Sequence, residues 1–235
     1  MKKLEDLPAF RARTAGFTAD SLPHGGGLET NANLPLKVGM DGKMEPFMGN
    51  TVVFPLPEEV KREIGRMQER LYRTCAPALA EPLEASSFHM TLHDLLSGKP
   101  DRTLRRRMDD MRDAALERVR QIARAGETVR LHTTALFNMV NTSMVLGLAP
   151  ADEESCGRLM AYYETLQDVV CLRYPLTPHV TLAYFRPGVI TAEWVEKLRD
   201  AVDEIGQREK IFMELPAKTL EYQLFSDMNH YWRDM

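Results

Sequence analysis

The 235-residue chain has only three cysteines, two tryptophans, no long apolar run and little net charge. Cys75, Cys156 and Cys171 form no Cys-x-x-Cys pair and are too few and scattered for a disulfide framework, so a reducing cytoplasm is the expected compartment. No apolar stretch approaches the roughly 20 residues of a membrane-spanning helix, and no membrane partner is expected. The opening Met-Lys-Lys-Leu-Glu-Asp carries acids where a signal peptide needs an apolar segment, so nothing points to export. A formal charge of -4 supplies no field to draw in long nucleic acid, so any nucleotide partner must be held by a local site.

What is present is ordinary globular material, 44% hydrophobic and 27% charged, enough for one domain with a real core. Residues 1–49 stand apart. They hold half of the 14 glycines and four of the 14 prolines, which disfavours long regular elements. This stretch reads as an arm that wraps the domain or is partly disordered, with a short helix near Glu5–Arg13. Residues 50–235 read as one domain.

Regular structure is expected from Asn50 onward. Thr51–Leu56 is a β-branched apolar strand closed by prolines, and Val60, Ile64, Met67 and Leu71 mark one face of a helix over Glu58–Thr74. Ser86–His93 follows as a strand, then a helix over Arg102–Ala125 with Gly126 as its stop. Strands at Val129–Met139 and Ser143–Leu148 flank a turn at Val140–Thr142. Helix Asp152–Cys171, strand Thr177–Phe185, a helix over Ala192–Gly206 capped by Thr191, and strands at Ile211–Leu215 and Leu220–Phe225 complete the reading. The series strand, helix, loop, His-x-Thr-Leu strand, helix thus runs twice, from 51 to 125 and from 143 to 206. The expected fold is α+β, with two similar lobes facing each other across a cleft.

The strongest motif is the pair His89-Met-Thr-Leu92 and His179-Val-Thr-Leu182. With six His, 16 Thr and 28 Leu, chance gives about 0.05 such tetrapeptides. On a strand, residues i and i+2 share a face. His89 with Thr91, and His179 with Thr181, therefore present an imidazole and a hydroxyl to the cleft, while Met90, Leu92, Val180 and Leu182 anchor the strands. Two opposed imidazoles suit phosphodiester hydrolysis: a neutral one takes the proton of the attacking oxygen and a protonated one gives a proton to the departing oxygen. The threonine hydroxyls would hold the nonbridging oxygens. The scheme needs neither metal nor other cofactor.

These motifs resemble the 2H phosphoesterase superfamily, defined by two His-x-Thr/Ser-x motifs in a bilobal, pseudo-two-fold fold of duplicated antiparallel sheets with flanking helices. The likeness covers roughly residues 50–235, and the stretch Gly42–Leu56 with Met48-Gly-Asn-Thr51 looks most like a bacterial branch of uncharacterised 2H proteins. It implies His89 and His179 as acid and base, Thr91 and Thr181 as phosphate-binding hydroxyls, and a small nucleotide or RNA end as substrate, such as a cyclic phosphate or a 2'-5' linkage.

Other candidates carry weaker arguments. His132-Thr-Thr134 matches His-x-Thr but lacks the Leu and leads into a hairpin; Arg130, His132 and Thr134 line either the cleft or an exposed sheet face. Phe185 shares the parity of His179 and Thr181 and is placed to stack a base, whereas Tyr184 faces away unless the strand bulges. Asn50 reads as a turn residue, Arg186 as a source of positive charge, and the arginine-rich helix 102–125 as a solvated face diluted by five acids. His89 and His93 have zinc-ligand spacing on a helix, but Met90 stands where a zinc protease has glutamate, and Thr91 with the flanking prolines favours a strand. The leading reading is a monomeric, metal-independent phosphodiesterase; the alternatives are a noncatalytic nucleotide or RNA-end binding module, or a 2'-5' RNA ligase.

Overall fold

The computed structural model describes residues 4–206 and 210–234. Helix α1 (Leu7–Thr14) is followed by strands β1 (Leu28–Glu29) and β2 (Met48–Pro55), helix α2 (Glu58–Cys75), strand β3 (His89–Gly98) and helix α3 (Arg102–Ala125). Then come β4 (Thr128–Met139), β5 (Ser143–Pro150), α4 (Glu153–Leu166), β6 (His179–Tyr184), β7 (Val189–Ile190), α5 (Ala192–Gly206), β8 (Phe212–Pro216), β9 (Glu221–Phe225) and β10 (Tyr231–Arg233). The architecture is α+β, with two four-stranded antiparallel sheets ordered β10-β9-β2-β3 and β6-β5-β4-β8. Among the described residues no helix is long and apolar enough to cross a membrane.

The helices form where the apolar spacing requires. Val60, Ile64, Met67, Leu71 and Cys75 make one buried stripe of α2, and Glu58 and Glu59 sit at its positive end. Asp101 caps α3, its carboxylate accepting from the Leu104 N–H at 2.7 Å, and Gly126 ends that helix at φ 68°, a left-handed geometry that glycine adopts without strain. Asp152 caps α4 in the same way, through the Ser155 N–H at 2.8 Å. Pairing of the helices mirrors the duplication: α2 lies against α5 and touches β6, whereas α4 lies against α3 and touches β3.

Several boundaries differ from the sequence reading, three of them with a clear physical reason. Helix α4 stops at Leu166 instead of Cys171, because the Gln167 side chain turns back to accept from the Leu172 N–H at 2.6 Å and satisfies the chain as a turn. Strand β3 runs on to Gly98, with Gly49 facing Ser97; a Cβ on Gly49 would overlap the Phe225 ring and the Leu96 carbonyl. Strand β10 extends the first sheet beyond the last strand read from the sequence, and Arg112 of α3 holds its end through Asp234 at 2.5 Å. In the first 49 residues, α1 lies where a short helix was expected. Leu7, Phe10, Leu22, Leu28, Leu34, Val38 and Phe47 are all buried in the core shared by both sheets.

Candidate active site

The two His-x-Thr-Leu segments open the edge strands of their sheets. In β3, His89 pairs with Pro55 and Thr91 with Val53; in β6, His179 pairs with Gly147 and Thr181 with Val145. Each strand then takes up one extra residue at the fourth motif position. Between Val52 and Val53 the partners jump from His93 to Thr91, bypassing Leu92; between Met144 and Val145 they jump from Ala183 to Thr181, bypassing Leu182. A bulge reverses the alternation beyond it. Both leucines are fully buried and plug the strand onto the core.

This matched pair of bulges decides which later residues reach the cleft. His93, which shares the parity of His89 on a regular strand, turns into the core at 1% exposure, its ring 5.1 Å from that of Tyr163 on α4. His89 and His93 therefore diverge and do not converge on one ion. Phe185 is likewise fully buried, so the expectation that it faces a ligand is corrected: the bulge at Leu182 turns it inward and turns Tyr184 toward the site instead.

His89, Thr91, His179, Thr181 and Tyr184 line one narrow pocket, closed by Leu83, Ser87 and Met228. Its volume is about 30 Å³, room for about two water molecules. The Tyr184 hydroxyl donates to Met228 Sδ at 3.1 Å, and the Tyr231 ring of β10 meets the His89 ring edge-on at 4.8 Å. The rings are held alike from behind. His179 Nδ1 lies 2.7 Å from the carbonyl of Thr177, and His89 bonds the backbone of Ser87, in each case the residue two positions back. A nitrogen facing a carbonyl must carry the proton, which leaves His179 Nε2 for the pocket.

Burial pushes the His89 pKa down to about 4, against an opposing pull from the Ser87 hydrogen bond; the proximity of His179 lowers it further and Asp94 raises it. Burial also lowers the pKa of His179, opposed by the Thr177 hydrogen bond and by Asp94. Lys37, on the N-terminal arm, and Lys61, on α2, act on His179 and His89 respectively. Asp94 and Tyr184 hold equivalent positions in the two strands, each two residues past its bulge. The Asp94 carboxylate accepts from the Tyr174 hydroxyl at 2.9 Å.

Several of these residues escape sequence reasoning. Tyr231 and Met228 come from the C-terminal strand and its turn, and Lys37 from the arm; no local pattern ties them to the motifs. The bulges alone would have found Asp94. Asn50 is structural: buried, it donates to the Tyr222 hydroxyl and accepts from the Leu96 N–H, both at 2.8 Å, filling an irregularity between β2 and β3. Arg186 leans over Gly42 and bonds the Asp41 carbonyl, outside the pocket. None of the α3 arginines lines it either; Arg112, Arg118 and Arg124 pair with Asp234, Asp168 and Glu117. His132 lies in a separate pocket of the same sheet as His179. Among the described residues, no three His, Cys, Asp or Glu side chains are gathered to hold a metal ion.

No protein-family profile matches the chain, and no curated protein does. Among solved structures, a conserved protein of unknown function from Agrobacterium tumefaciens superposes with a TM-score of 0.60 at 21% identity, covering 88% of this chain and 93% of that one. Escherichia coli LigT complexed with 3'-AMP gives 0.47 at 14% identity over 81% and 97% of the two chains. TT0787 of Thermus thermophilus gives 0.44 at 15% identity over 79% and 94%. The chain therefore shares its fold with the Agrobacterium protein along nearly its whole length.

Proposed function

We propose that the chain is a 2H-type phosphodiesterase that opens a cyclic phosphate or cleaves a short nucleotide or RNA-end phosphodiester by two-histidine acid–base catalysis. One observation carries this reading: His89, Thr91, His179 and Thr181, from strands 90 residues apart, line a single pocket with both rings held from behind. A structural role would not call for two copies of one imidazole–hydroxyl unit facing a common space.

A charge on His179 disfavours a second proton on His89, so in this reading His89, kept neutral, is the base and His179, carrying the proton, is the acid. Water attacks phosphorus and gives its proton to His89. The phosphorus–oxygen bond breaks on the opposite side, and the departing oxygen takes the proton of His179. Thr91 and Thr181 donate hydrogen bonds to the nonbridging oxygens, where charge must be held through the transition state. The product is a phosphomonoester, and exchange with solvent restores the two protonation states.

The test is turnover of 2',3'-cyclic nucleotides and of short 2'-5' and 3'-5' oligonucleotides by the wild type, His89→Ala and His179→Ala. Each variant is expected to lose at least about a thousandfold in kcat. A loss below tenfold in either variant, on a substrate the wild type turns over, removes that histidine from the chemistry.

A further inference from the structure

The sheet face that carries His179 continues past the catalytic pocket into a second, larger one. Gly147 pairs with His179 and Ala149 with His132. Two residues apart on β5, Gly147 and Ala149 point to one face, so His132 lies on the same face as His179. There the sheet and the end of α1 line a space of about 260 Å³ whose wall includes Thr177 and Pro178, the residues immediately before His179.

The lining of this space suits a particular chemistry. Phe17 of the arm stacks on Phe137 of β4 at 5.0 Å with planes 10° apart, and with Ala135 and Pro178 it makes an apolar floor. Gly147 keeps the floor low, since a Cβ there would overlap Thr134 Oγ1. His132 contributes a buried Nδ1 that has no hydrogen-bond partner, an uncompensated polar atom at the wall of an apolar space. Arg11 lines the opening, and Lys210 is close enough to act electrostatically on His132 together with Arg11. A flat apolar floor, one unpaired ring nitrogen and a cationic mouth fit a heterocyclic base joined to a phosphate.

We infer that this pocket holds a second nucleotide unit of the substrate, its base on Phe17, Ala135 and Pro178 beside His132 and its phosphate against Arg11. The inference rests on the proposed function, because it places the scissile phosphodiester between His89 and His179. It narrows the substrate from a lone cyclic mononucleotide to a molecule with two nucleotide units.

AMP, adenosine and inorganic phosphate are titrated separately into the full chain labelled with nitrogen-15 in its histidines. AMP is expected to shift the His132 ring nitrogens and to bind at least tenfold more tightly than adenosine or phosphate. Arg11→Ala, at an exposed position, should weaken AMP about tenfold or more and leave adenosine unchanged. Ala15→Trp, which fills the mouth from an exposed site, should abolish the His132 response. AMP that shifts only His89 and His179, AMP that does not bind at millimolar concentration, or an Arg11→Ala protein that binds AMP as the wild type does, overturns the inference. A His132 response in a protein that cleaves no phosphodiester leaves the pocket standing and removes the catalytic reading; cleavage without that response does the reverse.

Discussion

Both imidazoles being depressed, the proposed chemistry needs a proton that the free protein holds poorly at neutral pH. The His89 pKa near 4 lies about 2.5 below the ordinary value of 6.5, a bias of roughly 3 kcal/mol toward the neutral ring. The active form carries one proton on the pair. For the free protein, kcat/KM is therefore expected to form a bell whose acid limb lies near 4 and whose basic limb lies below 6.5. A bound phosphodiester anion reverses the bias. One negative charge at about 4 Å in an effective dielectric of about 20 is worth roughly 4 kcal/mol, or about 3 in pKa, enough to bring the pair back toward neutrality. The kcat profile should thus peak at higher pH than kcat/KM. Asp94 raises both imidazoles, so Asp94→Asn should move both limbs of kcat/KM to lower pH. Steady-state kinetics from pH 4 to 8, with circular dichroism confirming the fold at each point, makes the test. A kcat/KM still rising above pH 7 would refute the account of a desolvated pair.

Other expectations concern stability. Phe10 of α1 is fully buried, so Phe10→Ala should cost about 3–5 kcal/mol in a denaturant titration; a change under 1 kcal/mol would mean the arm does not contribute to the cooperative core. Val140 sits at φ 45° in the β4–β5 turn, a left-handed geometry that is strained for a β-branched side chain, and Val140→Asn should stabilise by about 1 kcal/mol, read as a higher Tm. His93 is buried, and desolvation lowers its pKa against the opposing pull of Asp94 and Gln167. The unfolded chain then binds more protons than the folded one, so stability falls as pH drops below the unfolded value of about 6.5, by up to about 1.4 kcal/mol per pH unit for each such histidine. Replacing His93 with Phe should flatten that slope in denaturant titrations at pH 7, 6 and 5; an unchanged slope would remove His93 as its source.

How far the sequence carried this structure depended on whether the decisive interaction was local. The helices over 58–75, 102–125 and 192–206 announced themselves through apolar spacing, capping residues and a terminal glycine, all properties of the segment itself. The His-x-Thr-Leu strands were legible because alternation puts His and Thr on one face. Alternation failed beyond Thr91 and Thr181, since a bulge is set by the partner strand: Leu92 and Leu182 are the extra residues only because Val52–Val53 and Met144–Val145 run past them without a gap. That one displacement sent Phe185 to the core and Tyr184 to the site. Strand β10 was invisible for a related reason, because its stability comes from β9 and from Arg112 on a distant helix.

The duplication makes the two motif strands nearly equivalent, yet acid and base must differ, and the difference enters just past the bulges. One strand carries Asp94 and the other Tyr184; Tyr231 covers the His89 ring, and Lys37 acts on His179. The charge of a protonated His179 lowers the His89 pKa, and on that ground we take His89 as the base and leave His179 to protonate the departing oxygen. That assignment has a consequence separate from the size of either loss. A leaving group that needs no proton, such as the nitrophenolate of a nucleotide nitrophenyl ester, makes the acid dispensable and leaves the base essential. On such an ester His179→Ala should recover most of its lost kcat, at least about a hundredfold relative to a ribose leaving group, while His89→Ala stays impaired. Recovery by His89→Ala instead would exchange the two roles. Equal recovery by both would show that the asymmetry around the rings does not govern the proton.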